Sequence, residues 1–197
     1  MLALAAAALA LPAGWVAWGA LTFPSDRTPE GAYARVAKAV NTGHPEGLFP
    51  YLETPAQHAC FTLRDYRRRS RERVLAAYPE PERSERAGAW RAVADAADGQ
   101  DVFALLAAEQ RWVERLRRDL SGVRAVQIEG DRATLETVRG TRYAFRKREN
   151  GIWGLTQFTA FLAAEAEKAA RDHAIVEKAA TDYERARASA SGAPDGG

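Results

Sequence analysis

Ten consecutive residues, Arg64-Asp65-Tyr66-Arg67-Arg68-Arg69-Ser70-Arg71-Glu72-Arg73, hold the densest concentration of chemistry in the chain. On a helix, Arg64, Arg68 and Arg71 share one face, and their planar guanidinium forks suit a phosphate or carboxylate better than lysine would. The chemistry to expect there is anion binding, for example to an acidic lipid head group beside a membrane. The competing reading is a solvated helix face paired with Asp65, Glu72 and the acids after Pro79, since surface ion pairs of that kind are common and worth little. A nucleic-acid partner is not expected, because single strands are gripped by interleaved aromatic rings and Tyr66 is the only one in the run.

Metal and nucleophile chemistry have few residues to draw on. His58 and Cys60 are two apart, which on a helix points them about 200° away from each other. No second Cys or His pair completes a zinc set, so neither a metal nor a cofactor is expected. Cys60 is the only cysteine. It cannot form an intrachain disulfide, and it would act as a nucleophile only if the fold brought His44 or His173 to it. A small buried hydrophobe is the alternative. His173 lies between Ala169 and Val176 on an apolar helix side, which reads as a packing histidine. For general acid–base work the best carboxylate is Glu109, one turn before Trp112 and Val113, with Tyr143 or Tyr66 as the opposing donor. A helical glutamate beside apolar positions usually reaches solvent at the edge of the core instead.

These candidates sit in a chain of 197 residues, 47% of them apolar, enough for one buried core. The formal charge of +2 gives no global field that would imply a polyanionic partner. Arginine and alanine are abundant while lysine is scarce, a bias of coding composition that discounts every arginine cluster.

Residues 1–23 carry no charged side chain and string leucines, Trp15, Trp18 and Phe23 among alanines. As a helix of about 1.5 Å per residue they would just cross a hydrocarbon core of about 30 Å, so they read as a membrane anchor. Pro12, Gly14 and the small-x-small triplet Ala17-Trp18-Gly19 fit a cleaved signal peptide equally well. No cysteine follows the apolar run, so a lipoprotein is not expected. Residues 24–27 read as a polar hinge.

From Thr28-Pro29-Glu30, a cap followed by a first-turn proline and an acid, the spacing turns helical, with Tyr33, Val36 and Val40 on one side and Asn41-Thr42-Gly43 as the stop. His44 to Leu52 is an aromatic-aliphatic connector between prolines. Thr54-Pro55 caps a second helix through Leu63, Tyr66, Val74 and Ala77 to Pro79. A third contains Ala89, Trp90 and Val93. A fourth is expected to run unbroken from Asp101, with Val102, Leu105, Leu106, Trp112, Val113, Leu116 and Leu120 on its apolar face. Near Gly122 the period drops to two. Val126 and Ile128, then Ala133 and Leu135, then Tyr143 and Phe145, then Trp153 and Leu155 alternate with polar residues and predict four antiparallel strands joined by hairpins at Gly130-Asp131, Arg139-Gly140 and Asn150-Gly151, the last as a type I′ turn. From Phe158 a long helix runs through Leu162, Ala169, Val176, Ala180 and Tyr183. Its second half, alanine and alternating charge, is expected either to project beyond the core or to pair with another helix; if it projects as a self-association surface, deleting residues 170–197 should change the oligomeric state but not the melting. Residues 189–197 read as a disordered tail.

The expected fold class is therefore α+β: N-terminal helices packed on a four-stranded antiparallel meander sheet, followed by a long C-terminal helix, with residues 28–188 as one domain. This order resembles bacterial envelope proteins of the nuclear-transport-factor-2-like, cystatin-related superfamily. The resemblance rests on Thr28-Pro29-Glu30-Gly31-Ala32-Tyr33, on the connector Gly47-Leu48-Phe49-Pro50-Tyr51-Leu52, and on the strands Arg142-Tyr143-Ala144-Phe145 and Gly151-Ile152-Trp153-Gly154-Leu155. It implies a cone-shaped cavity under a curved sheet, used in that family for binding, for association, or for isomerase and dehydratase chemistry. The arginine-rich stretch from Cys60 to Gly99 and the long last helix depart from it, and no functional residue carries over. The expected function is a non-enzymatic binding or assembly module at a bacterial inner membrane, with a periplasmic domain or exported after cleavage. Its partner would be an envelope protein, a lipid head group or a small ligand. The alternative is an isomerase- or dehydratase-like enzyme.

Overall fold

A computed structural model describes residues 24–191. The anchor-or-signal reading of residues 1–23 and the tail reading of residues 192–197 lie outside the described residues. No helix among the described residues is long and apolar enough to cross a membrane.

The chain is α+β, with helices first, a four-stranded antiparallel sheet of order β1-β2-β3-β4 next, and a long helix last. Helix α1 (Pro29–Thr42) starts as the sequence dictates: Thr28 is extended, its hydroxyl accepts the Gly31 N–H at 3.2 Å, and Pro29 opens the first turn. Residues 24–27, read as a hinge, lie against the sheet, where the carbonyls of Asp26 and Arg27 accept the backbone and indole N–H of Trp153. A 3-10 turn (Pro45–Tyr51) buries Leu48 and Phe49. Leu52 then bridges in parallel to Leu155, and the Glu53 N–H donates to the Leu155 carbonyl at 3.2 Å.

Helix α2 (Thr54–Ala77) and the final helix α6 (Thr159–Ser191) run side by side in the same direction. Helix α3 (Glu82–Ala94) packs on the outer part of α2. Helix α4 (Gly99–Glu109) is capped by the Asp98 carboxylate, which accepts the N–H groups of Gln100 and Asp101. The unbroken fourth helix expected from Asp101 to Leu120 is corrected here. The chain breaks at Gln110 and Arg111, the latter left-handed at φ 54°, and α5 (Trp112–Asp119) starts in a new direction. A straight continuation would swing Trp112 and Leu116 off the core. The break returns both to the cluster that holds Val102, Phe103 and Leu106, while Leu105, expected inside, is exposed.

Strands β1 (Val123–Glu129), β2 (Arg132–Thr137), β3 (Arg142–Lys147) and β4 (Trp153–Leu155) follow. On β2 and β3 the alternation is clean: Ala133, Leu135, Thr137, Tyr143 and Phe145 face the helices. The expected type I′ turn at Asn150-Gly151 is not formed, because Asn150 keeps a negative φ. Instead, Glu149, Asn150 and Gly151 make a three-residue loop closed by Arg148 and Ile152. Only Gly151 is left-handed in that loop, and the Asn150 side chain accepts the Ile152 N–H. Gly154 permits the Leu52–Glu53 backbone to lie against β4, since a Cβ there would stand 2.6 Å from the Glu53 nitrogen.

Two apolar clusters result. The larger lies between the sheet and α1, α2, α4, α5 and the start of α6. The smaller joins Val74, Ala77 and Tyr78 of α2 and Ala87 of α3 to Val176 and Ala180 of α6. Of the two readings of the second half of α6, pairing with another helix is the one found, through Val176 and Ala180 against α2 and α3, and the helix continues through residues 189–191, which were read as tail.

Candidate functional site

Arg64, Arg68 and Arg71 do share a face, and that face grips the end of α3. The Arg64 guanidinium donates to the Ala97 carbonyl at 2.6 Å and to Asp65, Arg68 donates to the carbonyls of Ala94 and Ala96, and Arg71 donates to Asp95 at 3.3 Å. A helix C-terminus presents unpaired carbonyls and a partial negative charge. The forks of Arg64 and Arg68 satisfy its carbonyls and Arg71 pairs with the Asp95 carboxylate, so a phosphate arriving there would have to displace bonds already made.

Deeper along the same helix lies a polar seam that single-residue spacing did not reveal. Arg67 donates to Asp172 at 2.6 Å, with its guanidinium 5.2 Å over the Trp90 ring. Ser70 shares a hydrogen bond with His173 Nδ1 at 3.2 Å, Tyr66 packs its ring on the imidazole, and Glu177 stands 3.9 Å from Nε2. Ser, His and an acid in contact invite comparison with a nucleophilic triad. The setting rules that out. Ser70 is fully buried in the middle of a helix whose amides are committed to their own carbonyls, so no oxyanion donor faces it and no substrate can reach it.

The acid–base candidates do not meet. Glu109 is exposed as the last residue of α4, Tyr66 lies in the seam, and Tyr143 is 3% exposed against Tyr33, the ring centroids 5.4 Å apart. Burial, together with nearby Tyr33 and Asp119, pushes the Tyr143 phenol up to about 12, and its hydroxyl has no hydrogen-bond partner among the described residues. The space a cone-shaped cavity would occupy is filled by Phe103, Trp112, Phe145, Trp153 and Phe158. Cys60 is fully buried, and burial pushes its thiol up to about 12, so it stays a protonated, packed group. No group of three His, Cys, Asp or Glu side chains among the described residues could hold a metal ion. Surface clefts of ligand-pocket size are present, one of about 550 Å³ beside Gln110, Glu114 and Arg118 and one of about 440 Å³ beside Glu53, His58, Arg146 and Arg148, both lined largely by charged side chains, while the cleft beside Trp112, Asp119, Phe158 and Phe161 measures 250 Å³.

What stands open is strand β1. The sequence parity is right, because Val126 and Ile128 pair with Leu135 and Ala133 and so belong to the helix-facing side. The helix layer does not extend that far. Ile128 is 55% exposed and Val123 39%, only Val126 is half-buried against the core, and among the described residues β1 bonds to β2 only. At the opposite edge of the sheet, Leu52 and Glu53 cover β4. An uncovered strand presents a row of unpaired N–H and C=O groups, the chemistry of strand addition. The signal missed in the sequence is tertiary, since nothing in Val123–Glu129 says where the covering helices stop. No protein-family model, no curated protein and no solved structure matches the chain.

Proposed function

We propose that this domain works by association with another protein through the β1 side of its sheet, while residues 1–23 hold it at, or deliver it across, a bacterial inner membrane. The observation that carries this reading is the seven-residue edge strand with aliphatic side chains in solvent, on a domain whose interior is packed with apolar side chains. Natural proteins usually cover, shorten, bulge or charge such an edge; here the bulge and Arg124 stand toward one end and Glu129 at the other, and the uncharged stretch from Ala125 to Ile128 between them is left as a pairing surface. Kinship with the nuclear-transport-factor-2-like superfamily is part of the proposal. The helices-then-meander order supports it, and the filled interior and long α6 set this chain apart within it. The isomerase or dehydratase reading has less support, because Glu109 lies in solvent and Tyr143 faces no carboxylate across a cavity.

The test is site-specific photo-crosslinking of the full chain in its own membranes, with a benzophenone side chain at Ile128 and controls at Thr134 on the open sheet face and Ser84 on α3. A discrete protein adduct from Ile128 alone is the expected result. Equal or absent labelling at all three positions overturns the reading. Sedimentation of the chain with membranes, resistant to high salt, supports a retained anchor; recovery of a shortened soluble chain supports cleavage.

A further inference from the structure

We infer that the partner at β1 is a second copy of this chain, paired β1 to β1 antiparallel with Gln127 opposite Gln127. This rests on the association reading above and names its occupant. Glu129 and Arg132 flank the two-residue turn Gly130-Asp131 and are partners in register. In an antiparallel ladder, hydrogen-bonded and non-bonded pairs alternate, so Glu129 and Gln127 direct their backbone groups toward β2, while Val126 and Ile128 direct theirs outward. Two copies related by a twofold axis normal to the sheet keep the same face on the same side. Only residues of one face can then stand opposite each other, which excludes every one-residue slip.

Of the registers left, the one centred on Gln127 sets Val126 opposite Ile128 of the second copy, and Ile128 opposite its Val126. The outward N–H and C=O groups of both residues then exchange bonds across the axis. Four aliphatic side chains that are wholly or partly in solvent gather on the helix-facing side. At each end, the bulge at Arg124 and Ala125 comes opposite Glu129 of the second copy. Arg124 is two-thirds exposed with a single bond to Glu136, and Glu129 has no ion pair among the described residues, so the charges complement each other. A shift of two residues toward Val123 runs the bulge into the ladder, and a shift toward Gly130 leaves Val126 unmatched. Because the β4 edge is already covered by Leu52 and Glu53, each copy offers one edge, and the assembly closes as a dimer with one continuous eight-stranded sheet instead of growing into a fibre.

The experiment uses the full chain in detergent. Its sedimentation mass should correspond to two chains. Gln127→Cys should give a disulfide-linked dimer on mild oxidation, because facing non-bonded residues bring their Cβ atoms about 4.5–5.5 Å apart. Thr134→Cys, one strand in, should not. Ile128→Lys replaces an exposed side chain and should fold normally, while raising the concentration for half-dimerisation at least about tenfold by placing two lysines among the facing aliphatics. A dimer that survives Ile128→Lys and yields no Gln127→Cys disulfide is built elsewhere and overturns the inference. A monomer whose Ile128 benzophenone captures a different protein overturns it as well, but leaves the association reading standing. A monomer with no adduct at β1 overturns both.

Discussion

Arg67 of α2 and Asp172 of α6 meet at 2.6 Å in the seam that divides the two apolar clusters. The arginine side chain is only 9% exposed, its other face rests on Trp90, and Asp172 is its ion-pair partner among the described residues. Removing the acid leaves a buried cation without its counter-charge, which is worse than having neither. Asp172→Ala should lower unfolding free energy by about 2–3 kcal/mol. Arg67→Met with Asp172→Leu should recover part of that loss, because methionine keeps the contact with Trp90. Urea denaturation of the three variants decides it, and a loss below about 0.5 kcal/mol for Asp172→Ala would mean water already solvates the guanidinium.

The arginine face of α2 makes a prediction of the opposite kind from the one its composition suggests. Arg64, Arg68 and Arg71 spend their donors on Asp65, Asp95 and the carbonyls at the end of α3. Replacing all three with Gln should therefore cost stability, about 1–2 kcal/mol, and lower hydrogen-exchange protection in α3 first. Flotation on anionic liposomes at low salt should be the same for the variant and the parent. Loss of flotation with unchanged stability would show that lipid, and not α3, is what these forks hold.

The second half of α6 is structural as far as Tyr183. Val176 and Ala180 are buried against Val74 and Tyr78, the Tyr183 hydroxyl donates to Glu82 at 2.7 Å, and Arg73 forks onto Glu184. Deleting residues 170–197 would uncover this whole cluster, so the expectation that melting would survive it is overturned. The deletion should lower the melting temperature sharply, and Val176→Ala alone should cost about 1–2 kcal/mol. Deleting residues 188–197 should leave the melting curve in place, since no described side chain of that stretch is buried.

What could be read from the sequence is local, and what could not is relational. The change of period near Gly122 announced the sheet, because alternation is a property of one strand and needs no partner to be seen. Thr28, Pro29 and Gly43 announced α1 for the same reason. The break at Arg111 carried no signal, since arginine is not a residue that favours left-handed backbone, and only the placing of Trp112 and Leu116 explains it. Phe103 was passed over while Leu105 was placed inside, because an assumed straight helix through Trp112 rotates the apparent apolar face. The arginine face was visible as a face, but its ligands are backbone carbonyls, which no residue letter encodes. Ile128 had the right parity and the wrong burial, because coverage depends on where α1 and α5 end.

Tyr143 and Cys60 together set the dependence on pH, and Tyr143 is the one that a single isosteric change can test. The Tyr143 hydroxyl is buried without a partner among the described residues, and the phenol is pushed up to about 12 from an ordinary 10.0, so the fold favours the neutral form. A group whose folded value is raised stabilises fully below its unfolded value. That contribution is lost as pH climbs from about 10 toward 12, because only the unfolded chain ionises freely. Cys60, held neutral by burial in the same way, begins to draw on stability from about pH 9 upward. The protein should therefore be level in stability through neutral pH and fall steeply on the alkaline side. Tyr143→Phe removes both the titration and an unsatisfied buried hydroxyl. It should make the protein more stable by about 0.5–1 kcal/mol at pH 7 and flatten the decline above pH 10. Denaturation at pH 7, 9 and 10.5, with ultraviolet titration of the phenolates, measures both effects. A destabilised Tyr143→Phe would mean that the hydroxyl has a bonding partner and that the space between α1 and the sheet admits water.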